Sequence, residues 1–519
     1  MLQPARFAAR RLAFLALATV FVHFPQTGNA AVESSARQLV LQAADAMGGI
    51  DRLQELKAVR LKAVGHRYMR EQSERPAGPW FLDYFQIDEI RDLEQSRLRE
   101  ERQSRGCDST RCWQSAQWSN SITIVADDAA AEAHDAELQP ASAARAQDAE
   151  ERLAFAPERM LVLALAAPDL RLEPDVQLHG YVHHVLAFTW RGVPARIFVS
   201  SQSNIPVAVE WTRARPYDLY WNGWGDVTTR VTYGYWMLER GGLHYPRAWT
   251  AESNGQPDWT WMINELTLDP VVAEEQLSIP QSVRAQFAEQ KLTLDEWALP
   301  TSPQAVAQLA PGVVQVAGAW NVAYVRQADG VVIIEAPISN GYSGSVLRDV
   351  QQRFPGVPIK AVISTSDAWP HIAGLREYVA RDIPIYALDL NREILDRLLA
   401  APHRLRTDKL ASTPRPARIT YVRARASIAS ATNRLELLPM RTLTGERMLA
   451  VYLPDQKLIY TSDLVQRSRD GTFPIVQALH EALQLQQRER VDVSRLFGMH
   501  IGPTEWQLIG TTVSAQSRP

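Results

Sequence analysis

"KAVISTSDAWPHIAGLREYVA", Lys360 to Ala380, decides how the second half of this 519-residue chain is read. The opening KAVIST is a short apolar run of the kind that forms a buried strand. The closing IAGLREYVA reads as a helix. Between them lies a loop with one aspartate (Asp367), one histidine (His371), a tryptophan and a proline. A loop at the end of a strand that turns into a helix can aim several side chains into one cavity, so this loop is a candidate site, although a sparsely equipped one.

The surroundings repeat this grammar. GVVQVAG, NVAYVRQ, GVVIIEAP, IPIYALD and KLIYTSD are short apolar strands, and SGSVLRDVQQRFP and NREILDRLLAA are helical patterns between several of them. Strands feeding helices predict layered α/β packing with buried sheets over residues 300–519.

Ahead of residue 300 the pattern differs. Eleven of the fifteen tryptophans fall between Trp80 and Trp261, in segments such as YVHHVLAFTW, PVAVEWT, TTRVTYGYWML and DWTWMINELTL. Aromatic, β-branched runs broken by Gly, Pro and Asn predict an antiparallel sheet. SARQLVLQAADAMGGIDRLQELKAV reads as two helices split at Gly48-Gly49, and Ala129 to Ala167 as a second, Ala-rich helical insert. Residues 31–299 are therefore expected to form an α+β domain with a curved antiparallel sheet. Its opening, AMGGIDRLQELKAVRLKAVG, and its strand ladder resemble the lipoprotein-carrier type of half-barrel, which implies a concave face that takes an apolar ligand. Ordinary packing of a sheet core is the simpler account of the tryptophans. His183 and His184 face opposite sides of their strand and cannot chelate one ion together.

Arg6, Arg10 and Arg11, the apolar run Leu12 to Phe24, and Gly28-Asn29-Ala30 follow the order of a secretory signal over residues 1–30, cut after Ala30. Thirteen apolar residues are too few to span a bilayer comfortably. The expected location is periplasmic or secreted, with no transmembrane anchor once the signal is removed. Cys107 and Cys112, the only cysteines, are expected to close a hairpin tip as a disulfide in that oxidising setting. A net charge of −3 gives no electrostatic case for nucleic acid or an anionic membrane, so the expected partner is a small-molecule substrate or another protein, beside the apolar ligand that the half-barrel resemblance implies.

The order of segments after residue 300 resembles the metallo-β-lactamase fold, an αββα sandwich. AGAWNVAYVRQADGVVIIEAP corresponds to its opening hairpin, SGSVLRDVQQRFPGVPIKAVIST to its first helix and next strand, MLAVYLPDQKLIYTSDLV to a later strand pair, and LFGMHIGPTEW to its last ligand loop. The family motif is His-x-His-x-Asp-His, with a later histidine, a bridging aspartate and a final histidine around two zinc ions. Here Ser366 and Ala368 stand at the first two histidines, Pro370 at the aspartate and Thr444 at the later histidine. His371, Asp463 and His500 match the third histidine, the bridging aspartate and the final histidine. The three ligands of one ion are gone, and three of the other ion's four remain.

The resemblance implies a hydrolase of esters, amides, lactones or thioesters with at most one ion, Zn²⁺ or Fe²⁺, held by His371, Asp463 and His500. Asp367, one residue off the first ligand position, is the candidate fourth ligand or general base. Trp369 and Trp320 are candidate walls. Taken singly, the three ligands also fit structural roles as helix caps or loop holders. A catalytically inactive member that binds a ligand or an envelope protein is thus the competing expectation. No G-x-S-x-G elbow, P-loop or dinucleotide fingerprint is present, and His403 and His480 read as helix-associated residues rather than ligands.

Overall fold

A computed structural model describes residues 27–70, 78–105, 118–126, 128–134, 137–289, 291–300, 302–468 and 470–516. Cys107, Cys112 and most of the expected signal segment lie outside them. Among the described residues no helix is long and apolar enough to cross a membrane.

Residues 58–268 build one thirteen-stranded antiparallel sheet. Each strand pairs with its neighbour in sequence, except that Gln139–Pro140 and Arg171–Leu178 are the two edges, while the first strand, Ala58–Tyr68, pairs with the last, Gln256–Leu268. The two flanks of the sheet therefore diverge from this central pair. They curve around the helix Ala143–Ala154. Arg152 Nη1 donates to Glu100 on one flank at 2.6 Å, while Glu151 accepts from Trp211 Nε1 on the other at 2.7 Å. The helices Thr27–Met47 and Pro157–Ala166 add Val40, Met47, Met160 and Leu161 to a core with Leu186, Ile197 and Val209.

Two sequence expectations are corrected here. Ala129 does not begin a helical insert: Ala129–Ala133 and Gln139–Pro140 are strands, and helix starts only at Ala143, capped by Ser142. Alanine's helix preference yields to the chance to extend the sheet beside Trp118–Ala126. IAGLREYVA is not one helix but two short ones, Trp369–Ile372 and Leu375–Ala380, broken at Gly374. A Cβ at Gly374 would lie 2.6 Å from the Ser339 carbonyl oxygen, so this close approach admits only glycine.

The remaining strands form two sheets. Val306–Ala310, Val313–Val316, Val322–Gln327, Gly330–Ile334, Ile359–Ser364, Ile385–Leu388 and Ile419–Val422 lie side by side in sequence order. Pairing is antiparallel for the first four strands and parallel from Gly330–Ile334 onward. The second sheet runs Ala426–Ile428, Leu435–Pro439, Leu449–Leu453, Leu458–Tyr460, Arg495–Gly498 and Ile501–Glu505. Val325, Val332 and Ile334 pack against Leu437, Val451 and Phe497 between the sheets. The outer face of the first sheet is covered by Tyr342, Val346, Tyr378 and Leu395, and that of the second by Leu479, Ala482 and Ile509. This is the αββα layering that the segment order predicts, and its strands are buried on both faces, which is why they read as continuous apolar runs.

The two halves touch. Trp221 and Trp224, from the loop before the strand Asp226–Leu238, pack on Trp369 at ring distances of 4.8 and 4.7 Å. Asp226 accepts from the backbone N–H groups of Arg404 and Leu405 at 3.0 Å each.

Candidate metal centre

His371 sits on the short helix that follows the strand Ile359–Ser364, Asp463 follows Leu458–Tyr460, and His500 lies in the turn between Arg495–Gly498 and Ile501–Glu505. The strand before His371 belongs to the first sheet and those before Asp463 and His500 to the second, and the sheets are tied together beside the site. Leu449 N donates to Thr365 O at 2.8 Å, and Thr365 and Ser462 exchange a hydroxyl hydrogen bond at 2.7 Å. The His500 turn is clamped: Gln315 Nε2 donates to Gly498 O and Ile501 O at 3.0 Å, and Asn321 Nδ2 to Gly498 O at 3.0 Å.

The result is one cluster. A ligand atom from each of His371, Asp463 and His500 lies within 4.8 Å of the others. His371 Nε2 is 3.6 Å from Asp463 Oδ2, and His500 Nε2 is 3.0 Å from Asp463 Oδ1. Gln466 Nε2 donates to Asp463 Oδ1 at 2.8 Å. Burial pushes the His371 imidazole down to about 4, so it is neutral at pH 7. Burial works against the Asp463 anion, but the two imidazoles and the hydrogen bonds from His500 and Gln466 hold its carboxyl below the usual range. A neutral imidazole and a carboxylate are the protonation states that metal binding requires.

Sequence reasoning missed Glu335. It ends the strand Gly330–Ile334, is fully buried, and has a left-handed backbone (φ 82°). Its Oε1 accepts from Thr365 Oγ1 and, at 3.2 Å, from Tyr460 OH. Its Oε2 faces His371 Nδ1 at 3.9 Å, and among the described residues neither of these buried atoms has a hydrogen-bond partner. Burial raises the Glu335 carboxyl to about 8. At 3.9 Å Glu335 Oε2 and His371 Nδ1 are beyond hydrogen-bond distance, and in the tautomer with its proton on Nδ1 the neutral His371 turns the Nε2 lone pair toward Asp463. Two lone-pair donors 3.6 Å apart fit a cation between them, since two metal bonds of about 2.0–2.2 Å at a tetrahedral angle span a similar distance. The one signal in the sequence was an acid at the end of an otherwise apolar strand.

The other expected residues fall differently. Asp367 is not part of the three-residue cluster; its Oδ2 lies 3.3 Å from Arg447 Nε. The offset that made it a candidate turns it toward the arginine. Thr444, at the later-histidine position, donates through N and Oγ1 to Glu481, which thereby ties its loop to the helix Val476–Glu489. Trp320 is beside His500, with rings 5.8 Å apart, whereas Trp369 faces Trp221 and Trp224 instead of the cluster. His403 is buried 3.7 Å from Asp408, and His480 is half-buried on its helix. His183 and His184 use Nδ1 on Tyr181 O and Asp175 respectively.

No family model and no curated protein matches the chain. Solved structures similar to it include a stereoselective inverting sec-alkylsulfatase from Pseudomonas sp., 16% identical over 41% of this chain, with a TM-score of 0.32. The match spans only 40% of the alkylsulfatase. A metallo-beta-lactamase from Pontibacter korlensis is 15% identical over 41% of this chain and 99% of its own, with a TM-score of 0.31. One from Erythrobacter litoralis is 13% identical over 40% and 94%, also at 0.31. These neighbours are metallo-β-lactamase-fold proteins, the family that residues 300–519 resemble. The fold rests on the strand order and core layers described above.

Proposed function

We propose that the protein is an exported hydrolase that uses a single divalent ion, Zn²⁺ or Fe²⁺, held by His371, Asp463 and His500. The observation that carries this reading is the convergence of the three donors within 4.8 Å, with a neutral buried imidazole facing a carboxylate beyond hydrogen-bond distance. Export is supported by the basic, apolar and small-residue order of the first thirty residues.

An ion bound there supplies Lewis acidity toward water and toward a substrate carbonyl or phosphoryl oxygen. The protein's own residues do the rest. Glu335 lies beside His371 Nδ1, the place that outer partners of ligating histidines occupy. Gln466 fixes the Asp463 carboxylate. Gln315 and Asn321 hold the His500 turn, and Trp320 packs edge-on beside the His500 ring. Esters, amides, lactones and thioesters are the substrate classes that suit an acyl group activated this way.

Metal analysis of the protein purified without chelators tests the proposal. Near-stoichiometric zinc or iron in the wild type, lost in both His371→Ala and His500→Ala, is the expected result. A fully folded, metal-free wild type would instead make the chain a binding protein on a hydrolase fold.

A further inference from the structure

The curved sheet of residues 58–268 encloses a cavity of about 630 Å³, and none of its lining residues belongs to the His371 cluster. That is within the ~300–1,000 Å³ range of small-ligand sites. Its two flanks differ in chemistry because they come from opposite sides of the central strand pair. The strands Leu82–Asp92, Arg97–Arg105 and Trp118–Ala126 supply Asp83, Arg102, Ser104, Ser119 and Ser121, with Phe85 as their one aromatic side chain among the described lining residues. The other flank supplies Trp211, Tyr233 and Trp249, and the central strand Gln256–Leu268 adds Trp259 and Trp261; of these five only Trp259 is not buried. Trp249 and Trp261 are stacked, with ring centroids 5.4 Å apart and planes 13° apart, and the half-buried Trp259 lies 5.0 Å from Trp261.

Charge narrows the ligand class. Among the described residues, five arginines line the cavity (Arg67, Arg102, Arg145, Arg152 and Arg215), and five carboxyls face it (Asp83, Asp148, Glu151, Asp218 and Asp258). Several are satisfied within the protein: Arg215 Nη2 donates to Glu151 Oε2 at 2.6 Å, and Asp258 accepts from Ser253 Oγ at 2.6 Å. With opposite charges in equal number among the described lining residues, these side chains offer no surplus of formal charge to a phosphate or a free cation. An acyl chain filling it would strip water from hydroxyls and charged groups and return no hydrogen bonds. A pyranose meets both walls: its C–H face lies on an indole, and its hydroxyls exchange hydrogen bonds with serines and carboxylates.

We infer that this cavity binds a neutral, polyhydroxylated ligand of the short-oligosaccharide class. This site does not depend on the metal reading, and it replaces the apolar ligand expected from the half-barrel resemblance. The aromatic wall supplies contact area, and the polar wall supplies orientation.

Calorimetric titration of the full chain with cellotriose, maltotriose, chitotriose and mannotriose tests it, with oleate and inorganic phosphate as contrasting arms. Saturable binding of at least one trisaccharide at micromolar to millimolar concentration is expected, accompanied by a shift in tryptophan emission. Trp259→Ala should weaken it about tenfold or more without changing metal content. If that variant does not fold, Ser121→Trp, which fills the cavity from the polar wall, should abolish binding instead. Binding of oleate or phosphate alone, of none of the probes, or of a trisaccharide with unchanged affinity in the folded variants would overturn the inference.

Discussion

Glu335 and His371 carry opposite consequences of burial, and pH separates them. The Glu335 carboxyl titrates near 4.5 when unfolded and at about 8 when folded. Between those values the folded state holds the extra proton, so stability falls as pH rises, by at most about 1.4 kcal/mol per pH unit. His371 moves from 6.5 to about 4, so between those values the unfolded state holds the extra proton and stability rises with pH. The two slopes oppose each other from about 4.5 to 6.5, and above that only Glu335 acts. Urea unfolding of chelator-treated protein should therefore show stability declining between pH 6.5 and 8. Glu335→Gln should remove that decline and leave the rise at lower pH. Parallel profiles for wild type and variant would refute the assignment. His371, Asp463 and His500 were legible as a set because a known segment order located them. Glu335 was not, because Thr365 and Tyr460, which define its environment, lie 30 and 125 residues away.

Short loops, rather than the strands that carry them, set the position of each ligand. Gly374 lets the helix after His371 approach the Ser339 carbonyl, and Gly374 N donates to Ala336 O at 2.9 Å. Gly374→Ala should destabilise the protein by about 1–3 kcal/mol through overpacking, read as a lower thermal midpoint. An unchanged midpoint would mean that the contact relaxes freely. On the other side of the site, Asn321→Ala removes the side-chain donor to Gly498 O, while Asn321 N still donates to Met499 O at 3.1 Å. Metal affinity should fall about 10–100-fold, as when an outer partner of a ligand is lost, and competition with a chromophoric chelator would measure it. Equal affinity would assign Asn321 a purely structural role. The apolar strand runs were readable because each is a local pattern. The break at Gly374 and the strand at Ala129–Ala133 were not, because both depend on what packs alongside.

Across the molecule, the tryptophan contact joins the aromatic sheet to the loop that carries His371. Trp224 is buried against Trp369, and a Cβ at Gly225 would lie 2.0 Å from the Pro402 carbonyl oxygen, so the two surfaces meet closely. Trp224→Ala should cost about 3–5 kcal/mol, the usual range for a large aromatic truncated in a core. Scanning calorimetry should show the wild type unfolding in one cooperative transition and the variant in two. Two transitions already present in the wild type would mean that the halves are energetically independent.

The sequence by itself determined the layered α/β second half, the aromatic antiparallel first half and the identity of three candidate ligands. These follow from hydrophobic periodicity, which is local, and from segment order, which survives when ligand residues are lost. Only the tertiary structure decided that the three ligands converge, that Glu335 backs His371, that Asp367 turns to Arg447, and that the concave sheet holds a cavity with one aromatic and one polar wall. Each of these depends on distances between residues far apart in the chain, set by how two sheets and a curved meander close upon themselves.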